Sequence, residues 1–239
     1  MGLLDIPAPL FGWLDHQAGA FMPATLRLVL WALLASALSM LLYRQLSPQH
    51  RIAQIEAATR RVRRALAMHD GDMADGMRLS RRMLSLAFAR LRIVSLPALA
   101  GALPVVCLMA WLSTSYGYIL PATFEPVGVH ASPASAHVVW IADPAAPRVA
   151  ALDEAGNVVE EKAITAPVAT VHKRAWWNVL VGNPLGYLPA DGPVDRIDLD
   201  LQRSEYLPFG PAWLRGWEFL FIGVMLIASL GLKAGLRIR

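Results

Sequence analysis

Long apolar stretches occur at three places in the chain and are bounded by charged residues. The stretches cover 28–43, 93–112 and 219–232. Uncharged runs of this kind predict helices that cross a lipid bilayer. We therefore expect transmembrane helices within 23–43, 93–114 and 213–239, and the last of these ranges ends in a basic tail that includes Arg237 and Arg239. Residues 1–22 are apolar and hold no basic residue, and they predict a segment that lies along the membrane interface.

The first and third runs are short for a bilayer. Sixteen residues at a rise of 1.5 Å span roughly 24 Å, against a hydrocarbon core of about 30 Å. Two explanations stay open. Arg27, Arg44 and Lys233 extend their charged groups to the lipid headgroups, or the protein thins the bilayer around itself.

Residues 44–92 carry two apolar stripes at helical spacing, separated by the turn-like segment 69–72. The first stripe is Ile52, Ile55, Thr59, Val62 and Leu66, and the second is Met73, Met77, Ser80, Leu84, Ala87 and Leu91. Two helices that leave and re-enter one membrane face predict an antiparallel coiled-coil hairpin. Met73, Met77 and Met83 lie near its tip, where flexible methionines suit either an apolar substrate or loose core filling.

Between the second and third apolar runs, residues 115–212 contain short β-like runs separated by Pro and Gly. We expect strands over 137–141, 148–152, 158–164, 168–172, 175–181 and 194–201, with a hairpin turn at 153–157. Such a pattern predicts a small antiparallel barrel or sandwich. The fold class is thus a membrane α-helical protein with three transmembrane helices, a coiled-coil hairpin over 44–92 and an inserted β domain over 115–212.

Composition supports the membrane assignment. The 239 residues are 56% hydrophobic and 17% charged, whereas a soluble domain carries about 25% charged residues. The single cysteine, Cys107, excludes a disulfide framework within the chain and a multi-cysteine metal site.

Charge is distributed in blocks. Residues 44–92 contain eleven arginines and four acids, whereas 115–212 are acidic on balance. Basic loops remain on the cytoplasmic side of a membrane. We therefore expect a multi-pass protein, of a bacterial inner membrane, with its N-terminus and β domain outside and its hairpin and C-terminus in the cytoplasm.

The predicted basic face of the hairpin is formed by Arg60, Arg61, Arg63, Arg64, Arg78, Arg81 and Arg82. It suits lipid headgroups or acidic partners, with the ribosome as a further candidate, rather than DNA.

Small polar residues interrupt the apolar runs. Ser36, Ser39 and Ser95 predict either close helix packing or a partly hydrated groove that contacts substrate. Arg27 and Glu218 are the charged residues placed to face such a groove or the interface.

No nucleophilic triad, phosphate loop or metal-ligand spacing is evident, and Asp195, Asp198 and Asp200 predict an exposed strand face. We expect no enzyme activity, cofactor or metal.

The order of these segments resembles the YidC-like insertase superfamily. The similarity covers roughly 24–112 and 213–239, and the stretch 83–112 is most like that family. It is closest to the small three-span branch of archaeal homologues and subunit three of the ER membrane protein complex. The chain differs in the long insertion at 115–212.

The resemblance implies a hydrophilic groove open to the cytoplasm and a hairpin that receives nascent membrane segments, without a cofactor. The expected function is a membrane-protein insertase or chaperone, with membrane lipids and nascent or partner membrane proteins as partners. The alternative is a non-catalytic assembly or scaffold subunit of an inner-membrane complex that docks through its β domain.

Overall fold

The computed structural model describes residues 2–122, 124–143, 147–153 and 156–235. Within them, helices account for most of the chain outside the β domain. The helices are α1 (Ala8–Gly19), α2 (Ala24–Leu46), α3 (Gln49–Ala67), α4 (Met73–Ser115), α5 (Ala212–Arg215) and α6 (Trp217–Gly235), with 3₁₀ turns at Leu3–Asp5 and Trp176–Val179.

Three of these helices, α2, α4 and α6, are long and apolar enough to cross a membrane, which confirms that three such segments exist. The helices are longer than the uncharged runs within them. The 23 residues of α2 span about 35 Å and the 19 residues of α6 about 28 Å. Helix length alone therefore gives no reason for bilayer thinning. Arg237 and Arg239 of the predicted basic tail lie outside the described residues.

The predicted boundary at residue 92 does not interrupt the helix. α4 is continuous over 43 residues and contains Pro97 and Pro104. Prolines are tolerated within membrane helices where neighbouring groups satisfy the freed carbonyls. At about 64 Å, α4 is roughly twice as long as the hydrocarbon core is thick. We refer to α3 together with residues 73–92 of α4 as the helical arm.

The inserted region forms two small antiparallel sheets. Its strands are β1 (Val129–Ser132), β2 (His137–Ile141), β3 (Arg148–Leu152), β4 (Val158–Ala163), β5 (Thr170–His172) and β6 (Arg196–Leu199). One sheet has the order β1-β6-β5 and the other β2-β3-β4. Both contribute to one buried core, in which Val149 and Ala151 of β3 lie with Val171 of β5 and Ile197 of β6.

One sequence expectation for this domain is wrong, and one strand was not foreseen. The predicted strand over 175–181 is instead a 3₁₀ turn, because the buried side chain of Asn178 accepts a hydrogen bond from Ala175 N at 2.7 Å and donates one to Val181 O at 3.1 Å. These two hydrogen bonds close a turn within 175–181, so this segment does not pair as a strand. β1 was not expected, because its four residues show no clear strand pattern and their pairing partner, β6, is distant in the sequence. Residues 154–155 of the predicted hairpin turn lie outside the described part of the chain.

The chain divides into two compact units. The first contains 2–32 and 106–224, and therefore α1, the β domain and α5. The second contains 33–105 and 225–235 of the described residues, and therefore the helical arm.

Candidate functional site

The helical arm exposes a stripe of large apolar side chains along α4. Met73 is 82% exposed, and Met77, Leu84, Phe88 and Leu91 are each more than half exposed. They recur at helical spacing and so share one face. We call these five residues the exposed arm stripe.

This exposure corrects the predicted packing of the arm. The α3 stripe is at least partly buried, as expected, but within 73–92 of α4 the large apolar residues that are partly buried are Leu79, Met83 and Leu86. α4 has apolar residues on two faces at the same helical spacing, so periodicity alone selects the wrong face. Of the three methionines predicted to contact substrate, Met83 lies on the inward side and Met73 and Met77 lie in the exposed arm stripe.

The arginines predicted to form a basic face are all exposed. These are Arg60, Arg61, Arg63, Arg64, Arg78, Arg81 and Arg82. Arg81 follows Met77 by four residues and precedes Leu84 by three, so it lies beside the exposed arm stripe. Arg92 follows Phe88 by four residues and also lies beside the exposed arm stripe. The arm thus combines an apolar face with an adjacent line of guanidinium groups.

An ion pair joins the two helices of the arm. Arg90 of α4 donates to the carboxylate of Glu56 of α3 at 3.1 Å. Glu56 is also within 3.9 Å of Arg60. Because both arginines are more than half exposed, the ion pair contributes little to stability and mainly orients the two helices.

Two of the three predicted serines, Ser36 and Ser39, lie in contacts between helices. Ser36 of α2 is fully buried, and its hydroxyl is 2.9 Å from that of Ser229 in α6. Ser39 is close to Gly101 of α4, where an added Cβ would be only 3.0 Å from Ser39 O. Ser95 donates to the carbonyl of Arg92 within its own helix at 3.1 Å. Small residues at such contacts allow close approach of helices, and this arrangement fits the packing explanation for Ser36 and Ser39.

Arg27 is paired rather than free. Its Nη1 donates to the carboxylate of Asp15 in α1 and, at 3.1 Å, to the main-chain carbonyl of the same residue. The other carboxylate oxygen accepts hydrogen bonds from Nε1 of Trp31 at 3.0 Å and from the hydroxyl of Tyr116. This set of groups links α1 and α2 to the segment after α4.

Aromatic rings surround this ion pair. Trp31 is 5.4 Å from Trp111 and 5.5 Å from Phe11 between ring centroids, and Trp111 is 5.8 Å from Tyr116. The guanidinium carbon of Arg27 lies 5.8 Å from the centroid of Tyr116. Edge-to-face rings and a cation over a ring add to the stability of the cluster.

Tyr116 follows the last residue of α4 and holds its proton strongly. Burial, and then its hydrogen bond to Asp15, raise the pKa of Tyr116 well above its ordinary value. Its main-chain carbonyl accepts a hydrogen bond from Tyr206 Oη at 3.0 Å. The sequence analysis missed Asp15, Trp31 and Tyr116. The available signal was a lone acid within a helix that has no other charged residue, preceding a lone arginine at the start of a span.

Glu218 lies in the first turn of α6 and is exposed. A carboxylate at a helix N-terminus is stabilised by the helix dipole. Glu218 therefore lies at the end of the membrane-length helix and is not enclosed by its apolar residues.

The aspartates of the β domain are engaged by neighbouring side chains. Asp195 pairs with Lys173 at 2.8 Å and Asp200 with His130 at 3.1 Å. Burial would raise the pKa of Asp198, but hydrogen bonds from Arg196 and Thr170 outweigh it and hold the pKa below its ordinary value. Among the described residues, no three His, Cys, Asp or Glu side chains are grouped so as to hold a metal ion.

A cavity of about 380 Å³ opens in the first unit. It is bounded by Asp5 and Pro9 near the N-terminus, by Trp111 and Ser115 of α4, and by the loop around Asn183. The carboxylate of Asp5 is already bonded to Gly2 N and Gly182 N. This carboxylate therefore helps to hold the walls of the cavity together.

Comparison with protein-family models, with curated proteins and with solved structures returns no match to this chain.

Proposed function

We propose that this protein receives apolar segments of other membrane proteins on its helical arm and assists their entry into the bilayer, as an insertase or chaperone of the YidC-like kind. The observation that carries the proposal is the exposed arm stripe beside a line of arginines. Burying apolar surface contributes roughly 25 cal/mol per Å², so a stripe of five large side chains favours an apolar partner. Methionines allow such a surface to accept different sequences.

The arginines suggest where the arm acts. In this proposal the arm faces the cytoplasm, because moving a cation outward against 100 mV costs roughly 2.3 kcal/mol. Arg81 and Arg92 flank the stripe and suit phosphate headgroups or acidic groups next to an incoming segment. The N-terminus and the β domain are then outside, in a bacterial inner membrane.

Site-specific photocrosslinking during translation into membranes tests the proposal. The crosslinker is placed at Phe88 in the stripe and, as a matched control on the same helix, at Arg82, about 160° around the axis from Leu84. We expect crosslinks to a nascent membrane segment from position 88 and none from position 82. Equal crosslinking at both positions, or none with the arm intact, would contradict the proposal.

A second candidate function is an assembly or scaffold subunit of a membrane complex. The buried contact between Ser36 and Ser229 favours it, because a closed helix interface leaves less room for a hydrated groove there. In that case position 88 crosslinks one mature protein independently of translation. Deletion of 120–210 would then remove a stably co-purifying partner.

A further inference from the structure

Large apolar side chains are also exposed on the first unit. They belong to the N-terminal segment and to the 3₁₀ turn Trp176–Val179. The most prominent are Ile6, Leu10, Trp13, Phe21, Trp176 and Val179. Trp176 is 85% exposed, an unusual state for a side chain of this size in water. We call these six residues the lateral surface.

The two parts of the lateral surface are joined by hydrogen bonds. Leu4 N donates to Leu180 O at 2.9 Å, and Gly182 N donates to the carboxylate of Asp5 at 2.6 Å. An added Cβ on Gly2 would be only 2.4 Å from Leu180 O, so the chains are in close contact here. The segment that follows the 3₁₀ turn and the start of the N-terminal segment are thus in direct contact.

The polarity of α1 differs from that of a surface helix on a water-soluble protein. Its acid, Asp15, points inward to Arg27, whereas Leu10 and Trp13 point outward. In water a surface helix places its charged residues outside and its apolar stripe inside. The medium around the outer face of α1 is therefore apolar or interfacial.

Chain connectivity indicates lipid as that medium. α1 ends at Gly19 and the membrane-crossing helix α2 begins at Ala24, and the intervening residues span at most roughly 14 Å. α1 is therefore close to the level at which α2 leaves the bilayer. The exposed polar side chains of His16 and Gln17 suit headgroups, and tryptophan favours the same layer.

We propose that the lateral surface is embedded in the interfacial layer of the bilayer, so that Trp176 and its turn anchor the β domain to lipid alongside α1. Amphipathic helices at membranes lie about 5–10 Å into this layer. The β domain is thereby held against the membrane at two points, by its chain connections and by the turn. This inference does not depend on the function of the helical arm.

Fluorescence quenching in nanodiscs tests the anchor with the full chain. In a Cys107→Ala background, a single cysteine replaces Trp176 or, as a control, Val159, which is about half exposed on β4. Each is labelled with an environment-sensitive dye and exposed to lipids that carry a quencher near the headgroup, or to a water-soluble quencher. We expect loss of fluorescence at position 176 with the lipid quencher, and at position 159 only with the soluble one.

Two results would overturn the proposal. If position 176 responds to the soluble quencher as strongly as position 159, the surface faces water. If dye at position 176 is quenched only when two labelled chains share a disc, a second copy covers the surface instead of lipid. Because the Trp176 side chain is mostly exposed, its replacement leaves the fold intact, which circular dichroism of the variant verifies.

Discussion

Arg27 and Asp15 form an ion pair that ties the N-terminal helix α1 to the first turn of α2. Both side chains are mostly buried, with exposed fractions of 20% for Arg27 and 13% for Asp15. A buried charge is stable only when it is paired and hydrogen-bonded. Trp31 and Tyr116 complete the set of donors to Asp15, so one carboxylate organises three separate segments.

Replacing Asp15 by Ala should therefore destabilise the protein strongly. The change leaves Arg27 buried without its partner, and we expect a loss of about 3 kcal/mol in the free energy of unfolding. Denaturant unfolding in detergent micelles measures it. The matched control is Asp75→Ala, which removes an exposed pair with Arg78 and should have little effect. A small loss for Asp15→Ala would show that the pair is not buried in solution.

Ser36 and Ser229 should show energetic coupling. Each single change to Ala breaks the same hydroxyl contact between α2 and α6, so the double variant should lose less than the sum of the two. Membrane hydrogen bonds of this kind contribute about 0.6 kcal/mol. A double-mutant cycle of unfolding free energies measures the coupling, and strictly additive losses would contradict the contact.

Gly101→Ala should weaken the contact between α4 and α2. The new methyl would lie 3.0 Å from Ser39 O, a main-chain atom that cannot move independently of its helix. Gly231→Ala is the matched control, since its methyl would meet open space and alanine is the better helix former by about 1 kcal/mol. We expect the first variant to unfold more readily than wild type and the second not to do so. Equal stability of the two variants would exclude close packing at Gly101.

Asp198 should make stability depend on acidic pH. Its pKa is lowered in the folded protein, so its contribution is present above the unfolded value of about 3.9 and is lost as pH falls through the folded value. Thermal unfolding between pH 6 and pH 3 should show a smaller decrease in Tm for Asp198→Asn than for wild type. Identical pH profiles would show that Arg196 and Thr170 do not stabilise this carboxylate.

The local sequence predicted the helices and strands that have a clear hydropathy pattern. The three apolar runs correspond to α2, α4 and α6, and the strands expected at 137–141 and 148–152 have those bounds in the structure. Hydropathy and strand alternation are properties of consecutive residues, so they are visible without knowing what the segment contacts.

The tertiary structure decided which faces meet. Two stripes of α4 have the same helical period, and only contact with a second helix distinguishes Leu79 and Met83 from the exposed Met77 and Phe88. Likewise Asp15 finds Tyr116 a hundred residues later in the chain, and no spacing rule predicts that pairing. Sequence by itself determined that three segments are apolar enough to cross a membrane, because hydropathy depends only on the composition of consecutive residues. The pairing of its polar groups depends on distances between remote segments, which only the folded chain establishes.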